Sequence, residues 1–126
     1  MRAVDTNILV RLITRGDAAQ VAAAERFVEK GAWVSHLALA EFAWVLDAVY
    51  ARTAEETATA IALLLDHREL TLQDPDVVSA ALEKFRSRPA VGFSDCLLLE
   101  IARRAGHLPL GTFDRDLGRL DGAQRP

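Results

Sequence analysis

Four carboxylates occupy positions in the sequence from which they could act together. Asp5 follows the short apolar run "RAV", and Asp114 follows "LPLGTF". Glu41 lies in the apolar helical stretch "LALAEFAWVL", and Asp95 stands near the start of "FSDCLLLEIA". Carboxylates that converge within a few ångströms repel one another, which raises some of their pKa values unless cations intervene. Such hard oxygen ligands favour Mg²⁺ or Mn²⁺, and these ions can activate water and stabilise the leaving oxygen in phosphodiester hydrolysis.

Three of these acids also have purely structural explanations. Aspartate is favoured in turns and at helix N-caps, which would account for Asp5 and Asp114. Asp95 could interact with the helix dipole or share a capping role with Ser94. These explanations remain open as alternatives to a metal site.

Glu41 has mainly apolar neighbours on its helix. Leu37, Ala38 and Val45 lie four residues before it, three before it and four after it. They share its helix face, which we expect to be buried. A lone buried carboxylate is costly, so a buried Glu41 would need a partner or a cation; the alternative is that Glu41 faces water.

Short apolar runs alternate with longer amphipathic stretches along the whole chain. The runs "RAV", "AWVS", "LTLQ" and "LPLG" are predicted strands, separated by alanine-rich predicted helices. This alternation predicts an α/β domain with a mainly parallel sheet of about four strands flanked by helices. The tail "LDGAQRP" is too short and polar to predict a fifth strand. Functional groups of parallel sheets gather outside the carboxyl ends of the strands, where Asp5 and Asp114 lie.

The predicted helices carry N-terminal capping signals. The predicted N-caps are Asp17, Ser35, Thr53 and Asp74. Glu56 stands three residues after Thr53, the spacing of a capping box, and Pro75 follows Asp74 at the first helical position. Gly106 is expected just beyond the C-terminal end of the last helix.

Size and composition indicate one ordinary domain, residues 1–126. Hydrophobic residues make up 51% and charged residues 26%, as in soluble globular proteins. We expect a cytoplasmic protein without a membrane association, because no apolar run approaches the ~20 residues of a membrane span, no export signal is evident, and a lone cysteine suits a reducing compartment. The net charge of −3 argues weakly against a nucleic-acid binder of the basic-patch kind.

Other chemistries lack their motifs. No glycine-rich nucleotide-binding motif, nucleophile elbow or zinc-ligand spacing is present. The three histidines are expected to be surface or capping residues, and they are His36, His67 and His107. Cys96 is expected to be a buried core residue. Trp33 and Trp44 are expected to pack in the core, although they could instead line a groove of this chain that binds a partner.

Four sequence blocks resemble those of a known family. The blocks "AVDTNILVRL", "LALAEFAWVL", "GFSDCLLLEIARRAG" and "LGTFDRDLGRL" are similar, in kind and order, to the signature blocks of the PIN-domain ribonucleases. The size and the "DTN" opening most resemble the VapC-type toxins of bacterial toxin–antitoxin modules. The resemblance implies a PIN-like domain and an Mg²⁺- or Mn²⁺-dependent endoribonuclease acting on RNA. It also implies a homodimer and a cognate antitoxin that inserts a peptide arm near the acidic site.

The resemblance further implies roles for individual residues. The positions that match the family's catalytic, metal-binding acids are Asp5, Glu41, Asp95 and Asp114. The positions expected to support them are Asn7, Ser94, Thr112 and Asp116. Asn7 and Ser94 resemble positions that hydrogen-bond to the ligands, whereas Asp116 would be an extra or substitute ligand.

Two other functions fit the same acids. One is a non-catalytic partner-binding protein in which a cation stabilises the acidic scaffold, and the other is a DNA or flap nuclease with the same site. Whether the nuclease acts on RNA or on DNA, arginines near the cleft could bind the flanking phosphates. The candidates are Arg11, Arg15, Arg86, Arg88 and Arg115.

Overall fold

Five short strands and six helices alternate in the computed structural model, which describes all 126 residues. The strands are β1 (Arg2–Ala3), β2 (Ala32–Val34), β3 (Leu70–Leu72), β4 (Leu110–Gly111) and β5 (Ala123–Gln124). The helices are α1 (Thr6–Thr14), α2 (Ala18–Val28), α3 (His36–Ala48), α4 (Ala54–Leu65), α5 (Pro75–Ser87) and α6 (Phe93–Ala105). The architecture is a single small α/β domain with parallel sheets, which confirms the predicted fold class.

The main sheet contains three parallel strands in the order β1-β2-β3. Arg2 pairs with Ala32, and Ala32 in turn pairs with Leu70, so the three strands begin at the same edge. Parallel neighbours cannot be joined by a tight hairpin and need long crossovers, which α1 and α2 supply between β1 and β2. The carboxyl ends of all three strands therefore lie at one edge, and Asp5 follows the first of them.

The fourth predicted strand forms a separate sheet with a strand that the sequence did not predict. β4 pairs in parallel with β5, with Leu110 opposite Ala123 and Gly111 opposite Gln124. The expectation that the tail forms no strand was wrong. Leu117 and Leu120 are buried and fold the tail back against the domain, so the backbone can pair with β4 whatever the polarity of the tail's side chains.

Most of the predicted caps are present. Thr53 and Glu56 form the complete capping box, while Ser35 and Asp17 accept hydrogen bonds from backbone N–H groups in the first turns of their helices. Asp74 is the exception: it adopts a positive φ of 40° and makes no side-chain capping bond. Its carboxylate lies instead 4.0 Å from the His36 Nε2 atom.

The buried interior is formed by side chains from nearly every element. Leu9 of α1, Phe42 of α3 and Leu99 of α6 are completely buried, so these three helices pack around one core that fixes the acids they carry. Cys96 is buried as predicted, and its burial raises the pKa of the thiol to about 11. No helix combines the length and apolar character needed to cross a bilayer.

Three side chains depart from their predicted environments. Trp33 is 37% exposed, because Ala32 and Val34 point into the core and the side chains of a strand alternate between faces. Trp44 is 64% exposed. The side chain of His36 is mostly buried, and its Nε2 atom has no hydrogen-bond partner.

Candidate active site

Asp5 lies at the carboxyl end of β1 and also caps α1. Val4 continues the strand pairing by donating to the Trp33 carbonyl oxygen at 3.0 Å. The Asp5 Oδ1 atom accepts a hydrogen bond from the Ile8 N–H at 3.2 Å. The predicted capping role is therefore real, and the cap fixes an exposed carboxylate at the edge of the main sheet.

Glu41 is held next to Asp5 through Thr6, a residue to which the sequence analysis gave no role. The Thr6 hydroxyl lies 3.0 Å from the Glu41 Oε2 atom and 3.3 Å from the Ala38 carbonyl oxygen; it carries one proton, and the charged Glu41 oxygen is the nearer acceptor. Thr6 follows Asp5 directly, so this contact brings α3 against the end of β1. The only available signal was a hydroxyl residue inside the "DTN" block.

The expected burial of Glu41 was wrong. Glu41 is exposed, and Leu37, one turn earlier on the same face, is 69% exposed. Helix α3 buries Ala38, Leu39 and Phe42 instead. Thr6 of α1 contacts the Glu41 carboxylate but leaves the residue exposed, so its carboxylate is accessible to a ligand.

Asp95 and Asp114 form a second acidic pair, between α6 and the loop after β4. Asp95 lies in the first turn of α6 and is half-buried. Burial raises the pKa of Asp95, and the negative charge of Asp114 raises it further. The two carboxylates are therefore close enough to repel each other, as the sequence analysis expected of converging acids.

Asp114 is oriented by its own loop. Its Oδ1 atom accepts a hydrogen bond from the Leu117 N–H at 2.8 Å, and its backbone N–H donates to the Thr112 hydroxyl at 3.0 Å. Thr112 therefore supports the backbone of Asp114 rather than its carboxylate. Asp116 is exposed, and its side chain makes no capping bond to the helical turn that follows.

Ser94 connects the two halves of the site. Its hydroxyl donates to the Ala40 carbonyl oxygen at 3.3 Å, which ties the start of α6 to α3 one residue before Glu41. Of the two structural alternatives for Asp95, shared capping with Ser94 is absent, because Gly92 is the N-cap of α6 and no side chain caps it, whereas a position in the first turn, near the positive end of the helix dipole, is observed. Asn7 is exposed on α1 and makes none of the hydrogen bonds in the site.

The donors fit a divalent cation in chemistry, but they do not form a closed cage. All four acids offer hard carboxylate oxygens, which suit Mg²⁺ or Mn²⁺. The repulsion between Asp95 and Asp114 is what a bound cation would relieve. However, no three or more His, Cys, Asp or Glu side chains are gathered closely enough to hold a metal ion. The acids thus fall into two parts: Asp95 and Asp114, whose charges interact, and Glu41, which is bonded to the residue that follows Asp5.

The candidate phosphate-binding arginines differ in availability. Arg15 pairs with Glu25 at 3.4 Å, and Arg11 is hydrogen-bonded to Gln20. Arg88 and Arg115 are exposed and form no ion pair. These last two are the better placed to contact a nucleic acid, because Arg115 adjoins Asp114 and Arg88 lies near the start of α6.

Family comparison agrees with this geometry. The PIN domain family model matches residues 2–123, which is nearly the whole chain. None of the curated proteins with which the chain was compared matches it. The chain therefore belongs to the PIN domain family, whose members are typically nucleases that depend on divalent metal ions.

Proposed function

We propose that this protein is a metal-dependent endoribonuclease of the VapC toxin type, acting in the cytoplasm and neutralised by a cognate antitoxin. The observation that carries the proposal is the placement of the acids. Thr6, the residue after Asp5, is bonded to the Glu41 carboxylate, while burial and the charge of Asp114 raise the pKa of Asp95. The resemblance of the four sequence blocks to PIN-domain ribonucleases supports the choice of RNA, and the size and the "DTN" opening support the VapC type.

The acids have distinct tasks in this proposal. Asp5, Glu41, Asp95 and Asp114 would hold the cation. Mg²⁺ or Mn²⁺, when bound, activates water and neutralises charge on the phosphodiester. Thr6 orients the Glu41 carboxylate, and the Leu117 N–H orients that of Asp114. Burial and the charge of Asp114 raise the pKa of Asp95, and a bound cation would oppose that shift by favouring the ionised carboxylate.

RNA cleavage with and without metal tests the proposal. Purified protein should cleave RNA with Mn²⁺ or Mg²⁺ and be inactive with EDTA. Asp95→Asn should lower the rate at least about a hundredfold, the upper range for loss of a ligand's supporting partner. Asp66→Asn, at an exposed acid beyond α4, should keep the wild-type rate. Wild-type cleavage by Asp95→Asn would contradict the site assignment.

Two alternatives have their own signatures in the same experiment. The first alternative is a non-catalytic, partner-binding protein in which a cation stabilises the acidic scaffold. That function predicts thermal stabilisation by Mn²⁺ without cleavage of any nucleic acid. Faster cleavage of single-stranded or flap DNA than of RNA would instead identify a DNA nuclease.

The proposed partners are an antitoxin and a second copy of the chain. Large apolar side chains are exposed beside the acids, and these are Leu37, Leu98 and Phe113, with Phe113 75% exposed. Exposed apolar groups rimmed by polar ones mark interaction surfaces.

Light scattering should give a dimer mass. A small upstream gene encoding a DNA-binding domain should supply a protein that abolishes both cleavage and toxicity when co-expressed.

A further inference from the structure

A groove of about 280 Å³ opens next to Asp95, between α3, the start of α4 and the start of α6. Ser94 and Asp95 form one end of it. Because Asp95 belongs to both the groove and the candidate active site, a phosphodiester held at the acids would place a neighbouring nucleotide at the groove. Its volume is near the lower limit of small-molecule sites, which span roughly 300–1,000 Å³. It therefore suits a single nucleoside better than a protein helix.

The groove offers an aromatic surface for stacking. Trp44 lines it and leaves most of its indole exposed, whereas Phe85 and Phe93 form buried parts of the wall. The exposed indole therefore offers a flat apolar surface at the mouth of the groove. Proteins that bind single-stranded RNA stack unpaired bases on exposed aromatic side chains, and Trp44 is placed for that role.

Two charged side chains of opposite sign line the groove. Asp47 lies three residues after Trp44 on α3, and Arg52 follows in the loop before α4. Neither side chain has an ion-pair partner within 4.0 Å. The charge of Arg52 does lower the pKa of Glu56 slightly, but the hydrogen bonds between Glu56 and Thr53 are the main cause of that shift. Thr57, the only buried polar residue of the chain, contributes to the wall.

The pairing of a free carboxylate with a free guanidinium favours guanine. Guanine presents the O6 and N7 acceptors that arginine contacts with two hydrogen bonds, together with amino and imino N–H donors that a carboxylate accepts. Adenine and the pyrimidines lack this combination on one base. We propose that the groove binds a guanine base in the nucleotide adjacent to the phosphodiester that is cleaved. This inference rests on the proposed ribonuclease function and adds a base preference to it.

Nucleotide binding tests the groove without any catalytic step. In a Trp33→Phe variant, Trp44 is the sole tryptophan, so stacking of a base is read as quenching of its fluorescence. GMP should quench at a concentration about tenfold lower than AMP, CMP or UMP, which is the discrimination of one bidentate base contact. Asp47→Asn should remove this difference, and Asp66→Asn should retain it. Equal quenching by all four nucleotides overturns the guanine assignment.

Cleavage of a random-sequence RNA pool with Mn²⁺ tests the same groove in the reaction. Sequencing of the product ends should show guanine enriched at one fixed position beside the cut. Trp44→Ala should flatten this preference and raise KM about tenfold with a smaller change in kcat, because a stacked base contributes binding at a distance from the reacting atoms. Trp44→Phe, which keeps an aromatic ring, should restore most of the effect. Leu63→Ala, an exposed apolar residue of α4 outside the groove, is the matched control.

The two experiments separate this inference from the proposed function. RNA cleavage without guanine preference and without selective quenching overturns the groove's role and leaves the ribonuclease standing. Selective GMP quenching in a protein that cleaves no RNA supports the guanine site and overturns the ribonuclease. Absent quenching combined with wild-type cleavage by Trp44→Ala overturns the nucleobase site.

Discussion

The two acidic parts of the candidate site differ in what contacts their carboxylates. Glu41 accepts a hydrogen bond from a neutral hydroxyl, that of Thr6, at 3.0 Å. Asp95 faces another acid, and both burial and the charge of Asp114 raise its pKa. The first acid is oriented by a side chain of the protein itself, whereas the two acids of the second pair repel each other. Metal binding should therefore change the Asp95–Asp114 side far more than the Glu41 side.

We expect the largest effect from removing the negative charge of Asp114, which raises the pKa of Asp95. Asp114→Asn should reduce metal-dependent cleavage by at least about a hundredfold, because an amide is a poorer ligand than a carboxylate. In the metal-free protein it should also move the pKa of Asp95 back towards its ordinary value. NMR titration of the Asp95 carboxyl carbon measures this shift. An unchanged titration curve would show that the two carboxylates do not interact.

Thr6→Val tests the oriented side of the site with a smaller expected effect. Loss of a hydrogen-bonding partner of a metal ligand typically costs 10–100-fold in affinity, and we expect about tenfold weaker Mn²⁺ binding by calorimetry. Thr6→Ser should bind like the wild type, because it keeps the hydroxyl. Thr59→Val, at an exposed threonine of α4, controls for the substitution itself. Wild-type affinity in Thr6→Val would remove Thr6 from the site.

Ser94→Ala tests whether the two sides depend on each other. The single bond to the Ala40 carbonyl oxygen is worth about 0.5–1.5 kcal/mol at most, so cleavage should fall only a few-fold. The combination with Thr6→Val should cost more than the product of the two separate losses, since both bonds position α3. Strictly multiplicative losses would show that the two sides act independently.

The smallest effect concerns stability and pH. A raised pKa of Asp95 means that the folded, metal-free protein favours the protonated acid, so this group stabilises the fold at low pH. That contribution is lost as the pH rises from the unfolded-state pKa through the raised folded-state pKa. Asp95→Asn should therefore raise Tm at neutral pH by on the order of 1–2 °C, and the gain should disappear below the pKa. Saturating Mn²⁺ should reverse the order, because only the wild type gains from the cation.

Local sequence patterns predicted the helices, the strands and the positions of the acids better than they predicted which side chains are exposed and which contacts they make. The positions of Asp5 and Asp114 after strands follow from the alternation of short apolar runs with helices, which depends on neighbouring residues. The exposure of Glu41 and Trp44 depends on which face of α3 other helices cover. Because α3 is apolar on nearly all sides, its sequence cannot specify that face. The role of Thr6 likewise depends on a contact 35 residues away in the chain.

The pairing of β4 with β5 has a consequence for the loop that carries Asp114. The Gln124 carbonyl oxygen accepts the Thr112 N–H at 3.0 Å, and the Thr112 hydroxyl accepts the Asp114 N–H. The orientation of a carboxylate in the candidate site thus depends on backbone about ten residues further along the chain, and proteolysis within β5 would loosen the Asp114 loop without touching any acid.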